Sequence, residues 1–215
     1  MGVARLVLGV LILAGGLARA EQNPPPPGQQ PPATPAQQPG GRGGGRGRGG
    51  VQVMTLTMPW TDGESIPVKY TQAGGETSPA LSWTNVPETA ASFVLIVHDV
   101  DSATGGGVDD LLHWMVWGIP GTARELREGV PQGPQLPDGM RQISGTGPYY
   151  RGPSAPATGP AHHYVFELYA LDAMIEVPAV GASPADTRAA VVAAMATHVR
   201  GKAVAVGLFK RSPPK

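Results

Sequence analysis

The sequence predicts a mostly β domain, a sandwich or flattened barrel with helical trim. Three observations carry that expectation. Beyond position 50, short apolar runs alternate with turn-forming Pro and Gly. One run, Phe93-Val94-Leu95-Ile96-Val97, is apolar at every position, as a strand covered on both faces requires. One segment alone carries a full set of helix signals.

The strands are expected at Val51–Thr57, Leu81–Asn85, Ser92–Asp99, Leu111–Ile119, His163–Asp172 and Lys202–Lys210. Turn chemistry bounds them at Ser78-Pro79, Val86-Pro87, Ile119-Pro120-Gly121 and Pro137-Asp138-Gly139. For the helix, Ser183 is placed to cap, Pro184 suits the first position, Asp186 completes a capping box and Gly201 is the expected stop. Ala189, Val192, Ala193 and Ala196 are its expected buried stripe.

The domain 51–215 follows two segments of different character. In 1–20, Arg5 precedes the apolar run Leu6–Leu17 and the small-x-small triplet Ala18-Arg19-Ala20. That is the pattern of a signal peptide, too short to span a bilayer, and it predicts an exported chain, periplasmic or secreted, with no transmembrane segment after cleavage. Residues 21–50 hold 9 Gly and 8 Pro and no aromatic residue, so they are expected to be a disordered linker. The linker's Gly40–Gly50 stretch is cationic, but behind an export signal it reads as a solvated spacer.

Formal net charge is zero, and the arginines before position 51 leave the domain at about −4. Such a domain has no general attraction for nucleic acid or an anionic membrane. The absence of cysteine excludes disulfides, thiolate metal sites and cysteine nucleophiles.

Polar residues gather where strands end: His98-Asp99-Val100-Asp101, His113-Trp114, and Gly152–Gly159 followed by His162-His163-Tyr164. Alternation puts His162, Tyr164, Phe166 and Leu168 on one face and His163, Val165, Glu167 and Tyr169 on the other. It groups His113 with Leu111, Met115 and Trp117. An imidazole held there needs a partner for each ring nitrogen, with Asp99 or Asp101 as the expected source. Trp83, Trp114, Trp117 and Phe166 are expected in the core, and Trp60 partly exposed.

The order of these clusters resembles the phosphatidylethanolamine-binding, or Raf kinase inhibitor-like, family in its bacterial branch. Asp99-Val100-Asp101-Ser102-Ala103-Thr104-Gly105 is similar to its Asp-Pro-Asp signature, with Val100 in place of proline. His113-Trp114 and Val116-Trp117-Gly118-Ile119-Pro120 resemble its His-Trp strand, and Ser78-Pro79-Ala80-Leu81-Ser82-Trp83 its Ser-Pro-x-Leu-x-Trp stretch. Gly152-Pro153-Ser154-Ala155-Pro156 through His162-His163-Tyr164 is similar to its Gly-Pro-x-x-Pro…His-x-Tyr segment, with Ser154-Ala155 replacing a common Cys-Pro pair.

The resemblance implies two antiparallel sheets with a few flanking helices. It implies a small pocket lined by Asp99, Asp101, His113, Gly152, His162 and Tyr164 that accepts phosphate, acetate or a phospholipid head group. The Gly152 loop is expected to supply backbone N–H groups to the anion. Carboxylates would orient the imidazoles and favour their protonated form.

The sequence shows no Gly-x-Ser-x-Gly elbow, so the expectation is a binding module, not an enzyme, with no cofactor. An inhibitor of a secreted protease or of a kinase, acting on a protein target, is the alternative. A metal-dependent enzyme is the third reading, since Asp99, Asp101, His113 and His162 are of types that bind divalent metals, but His–carboxylate hydrogen bonding accounts for them with fewer assumptions, and no metal is expected. The sequence leaves the oligomeric state open.

Overall fold

The computed structural model describes residues 50–213; the expected signal peptide (1–20) and the expected linker up to residue 49 lie outside the described residues. Within them the chain forms β1 (Gln52–Val53), β2 (Thr55–Thr57), β3 (Leu81–Thr84), β4 (Ser92–Thr104) and β5 (Asp109–Pro120). There follow β6 (Glu125–Leu126), β7 (Arg141–Ile143), β8 (His162–Leu171), the helix α1 (Pro184–Met195) and β9 (Val199–Phe209). Two 3₁₀ turns, Val68–Tyr70 and Pro137–Gly139, complete the set.

The strands make two sheets, one ordered β1-β9-β8-β4-β5-β7 and one ordered β2-β3-β6. All pairings are antiparallel except β1 on β9, a short parallel contact at the sheet edge. The all-apolar run lies in β4, third from one edge of the large sheet, and feeds two separate cores. Phe93, Leu95 and Val97 pack with Trp83, Trp114, Phe166 and Leu81 toward the small sheet. Val94 and Ile96 pack with Met115, Trp117, Val191 and Met195 toward α1. Three layers result, and every strand position on β4 from Phe93 to Val97 is buried because both faces are covered.

The expected strands are all present, with three differences. Val51–Thr57 divides at Met54, which is buried and donates its N–H to Lys202 O at 2.8 Å as the chain passes from the large sheet to the small one. Strands β6 and β7 are two and three residues long, too short for alternation to show. The β4–β5 hairpin runs five residues past the expected end, with Thr104 opposite Asp109.

Helix α1 begins as expected: Ser183 Oγ accepts the Asp186 N–H at 3.1 Å and Pro184 takes the first turn. Its buried face is Thr187, Val191 and Met195, not the alanine-rich stripe, and Val192 is half exposed. Small alanines are spread around this helix and do not specify a face; the bulkier side chains at i, i+4 and i+8 do. The helix stops at Met195, and Gly201 belongs to β9. A Cβ there would lie 2.7 Å from Met54 Sδ and 2.8 Å from Pro87 Cγ, so this glycine serves close packing and not helix termination.

Candidate functional site

Four of the expected residues meet where β4, β5 and β8 run side by side. Asp99 on β4 stands directly opposite Tyr164 on β8, so both point to the same face, and His162 follows two positions earlier on that face. Asp99 is 3% exposed. Its carboxylate accepts His162 Nδ1–H at 2.8 Å through Oδ2 and the Asp101 N–H at 3.0 Å through Oδ1.

His113 reaches this group by a route that alternation does not foresee. Val97 opposes Trp114 and His98 opposes Leu112, so His113 is the extra residue of a β-bulge. The bulge turns its ring away from Met115 and Trp117 and sets it edge-on to Tyr164, 5.0 Å between ring centroids at 84°. The expected carboxylate partner is replaced by a carbonyl: Nδ1–H donates to Arg151 O at 2.8 Å. Burial pushes the His113 pKa down, against the pull of the Arg151 carbonyl and of Asp99. Burial thus favours the neutral ring, in which Nε2 carries the lone pair, and that Nε2 is buried without a hydrogen-bond partner among the described residues.

Tyr164 ties the site to the 152–159 loop. Its phenol oxygen accepts the Ser154 and Ala155 N–H groups, each at 3.2 Å. Burial first, then the Asp99 charge, raise its pKa, so it stays a phenol and keeps its own proton to donate.

Asp101 and Gly152 sit differently from the other four. Asp101 is exposed and holds His163, accepting its N–H at 2.6 Å and its Nδ1–H at 2.8 Å. Gly152 gives its N–H to Glu76 Oε1 at 3.1 Å, so that N–H is committed within the protein. A Cβ on Gly152 would stand 2.8 Å from Thr71 C and Tyr70 O, so its role here is close backbone approach.

Glu76 and Gln72 were not foreseen. Gln72 Nε2–H donates to Gly152 O at 2.9 Å and Gln72 N–H to Pro153 O at 3.1 Å, so this turn fixes the loop carrying Arg151 O. They lie some 80 residues from their partners and carry no local pattern.

A second polar cluster lies on the opposite face, under α1. His98 Nδ1–H bonds Asp110, and Arg188 of α1 grips the same carboxylate with Nη1 and, at 2.9 Å, Nη2. His98 Nε2 faces Glu167 Oε2 at 3.4 Å, and Glu167 takes Lys202 Nζ at 2.6 Å. Arg188 first, and His98 with it, hold the Asp110 carboxyl down at about 2; His98 and Lys202 do the same for Glu167, also about 2. Burial alone would lower His98, but Glu167 and Asp110 outweigh it and raise its pKa. Among the described residues no group of three or more His, Cys, Asp or Glu side chains is arranged to hold a metal ion.

The sequence profile described as phosphatidylethanolamine-binding protein matches residues 57–210. The chain belongs to that family. A UPF0098 protein of Methanothermobacter thermautotrophicus is 40% identical over 158 residues, 72% of this chain and 97% of the relative. LppC of Mycobacterium tuberculosis, named as a lipoprotein, is 32% identical over 163 residues, 74% of each chain. Two solved structures share the fold with a TM-score of 0.62. One, a phosphatidylethanolamine-binding protein homolog from Chlamydia trachomatis, is 30% identical and covers 75% of this chain and 99% of its own. The other, Escherichia coli YbcL, described as a member of the mammalian family, is 26% identical and covers 74% and 99%. The mostly β, two-sheet architecture expected from the motifs is thus the architecture of the family.

Proposed function

We propose that this chain is a non-catalytic binding protein whose site takes a small oxyanion, inorganic phosphate or a phosphorylated head group. The observation that carries the reading is His113 Nε2, a buried ring nitrogen with no partner, set beside Asp99, His162 and Tyr164. A buried polar atom left unpaired costs about 1–3 kcal/mol, and a ligand that pairs it recovers that cost on binding. Membership in a family described by binding points the same way.

Thermal unfolding with inorganic phosphate, acetate, phosphoethanolamine and short-chain phosphatidylethanolamine tests the reading. At about 100 times its dissociation constant a ligand stabilises the native state by about 2.7 kcal/mol. The stabilisation is expected in the parent and absent in His113→Ala and His162→Ala. A folded parent that no compound stabilises would refute it.

Export belongs to the same proposal. It rests on the charged, apolar and small-x-small pattern of residues 1–20 and on the lipoprotein name of one relative. Among the described residues no helix is long and apolar enough to cross a membrane. Expressed in a cell with a periplasm, the chain is expected there with Glu21 as its first residue; cytoplasmic chain still starting at Met1 would contradict export.

A further inference from the structure

We propose that the site takes its oxyanion together with a proton, so that it accepts protonated phosphate-type groups and discriminates against sulfate. The inference rests on the anion-binding reading and specifies its ligand class.

It follows from counting donors and acceptors. A carbonyl oxygen only accepts, so the 2.8 Å contact to Arg151 O fixes the His113 proton on Nδ1. Nε2 of the neutral ring is then an acceptor, and nothing among the described residues donates to it. Asp99 is a second acceptor: two of its lone-pair positions receive His162 Nδ1–H and the Asp101 N–H, and a carboxylate has about four. The loop N–H groups that would have balanced these are already used, Gly152 by Glu76, Ser154 and Ala155 by the Tyr164 oxygen. The Tyr164 hydroxyl keeps its proton beside Asp99, and the Arg151 guanidinium is the positive charge near the ring.

A fully ionised oxyanion only accepts. Placed here it would face the lone pair of His113 and the charge of Asp99, neither of which an acceptor can pair. A phosphate or phosphomonoester that keeps one proton has a P–OH group to give to His113 Nε2 or to Asp99. A phosphomonoester has a second pKa of about 6, so near neutrality the extra proton is available at little cost, and inorganic phosphate keeps a P–OH well above neutrality. Sulfate holds no proton there. It would have to protonate the imidazole instead, against the burial that lowers the His113 pKa.

The charged and titratable groups around His113 set this balance. Asp99 on β4 attracts a proton to the ring and Arg151 in the loop repels one. His162 and Tyr164 face it from β8, and Glu76 lies behind the loop on Gly152 N–H.

Titration calorimetry on the full chain tests the proposal. Inorganic phosphate, phosphoethanolamine and sulfate are titrated from pH 5.5 to 8.5, at equal ionic strength, in two buffers of different ionisation heat. Phosphoethanolamine is expected to bring close to one proton per ligand from the buffer above its second pKa, and its affinity should then fall about tenfold per pH unit. Inorganic phosphate keeps a P–OH throughout this range and needs no proton from the buffer. Sulfate is expected at least about 30-fold weaker at pH 7, the scale of a buried polar pairing left unmade.

The variant Asp99→Asn gives the anion a donor where it met a charge. It is expected to bind sulfate and phosphate within about threefold, a residual difference of under 1 kcal/mol. Phosphoethanolamine binding that is independent of pH, without buffer-dependent heat, would overturn the proposal even if Asp99→Asn fails to fold. So would sulfate binding in the parent as tight as phosphate. Absence of phosphate binding at every pH would instead refute the anion-binding reading, and this inference with it.

Discussion

His98 and Asp99 are consecutive, yet they serve opposite faces of the large sheet, and the polar clusters built on them are balanced in opposite ways. Under α1, two carboxylates meet two cations and a histidine. Asp110 takes His98 and Arg188, Glu167 takes Lys202 with His98 at 3.4 Å, and the charges close on one another. On the other face, Asp99, His162, His113 and Tyr164 leave a buried ring nitrogen with no donor. His98 Nε2 also lacks a hydrogen bond but faces Glu167 Oε2 at 3.4 Å. Trp60 Nε1, Trp83 Nε1 and Thr187 Oγ1 are likewise buried without partners, and none of the four stands beside both a carboxylate and a second imidazole as His113 does. Both faces carry histidine and aspartate; the unfinished hydrogen bonding distinguishes a binding site from a fastening. The closed network holds α1 to the sheet through Arg188; the open cluster fixes the loop at Arg151, Ser154 and Ala155 and still leaves His113 Nε2 without a partner.

Removing a carboxylate from the closed network should have the largest effect. Asp110→Ala leaves His98 and Arg188 facing each other without their shared counter-charge. It is expected to cost about 2–3 kcal/mol, below the value for a fully buried pair because Asp110 keeps some solvent contact. Chemical denaturation reads the loss, and phosphate affinity should change by less than about threefold. A loss confined to ligand binding would reverse the assignment of the two faces.

Acid should act on the same network. Asp110 and Glu167 each have a folded pKa of about 2, below their ordinary values of 3.8 and 4.5. A depressed carboxylate stabilises the fold above its unfolded pKa and loses that contribution as pH falls through the folded value. Stability should therefore decline from about pH 5 toward pH 2, by about 1 kcal/mol per group after allowance for solvent screening. The decline should shrink in Asp110→Asn. An undiminished decline would place the acid sensitivity elsewhere.

The smallest effect on stability is expected where the effect on binding is greatest. His113→Leu exchanges a buried, half-paired ring for an apolar side chain, losing one bond to Arg151 O and an orphan nitrogen together. Stability should move by less than about 1 kcal/mol in either direction, while phosphate binding falls at least about tenfold. A large loss of stability with binding retained would make His113 a structural residue.

The layout of the fold is legible in the sequence because its signals are local. The unbroken apolar run of β4, the Ser183–Pro184–Asp186 cap and the alternation of β8 each act within a few residues, and each appears where expected. The ordered motifs added which residues meet: Asp99, His113, His162 and Tyr164. Their partners were not legible. The bulge that re-aims His113 is a property of the β4–β5 register, and Arg151 O, Glu76 and Gln72 enter through tertiary packing of loops distant in sequence. For the same reason the commitment of the Gly152 N–H to Glu76, and the attachment of Asp101 to His163, could be found only in three dimensions.

The most direct test follows the histidine rings by nuclear magnetic resonance while pH and inorganic phosphate are varied. Without phosphate, His98 should titrate above 6.5, raised by Glu167 and Asp110, and His113 below 6.5, lowered by burial. With phosphate, the His113 and His162 signals should shift and saturate together, while His98 stays in place. Saturating shifts at His98 with His113 unmoved would contradict the account, because they would put the ligand on the face assigned here to the fastening of α1.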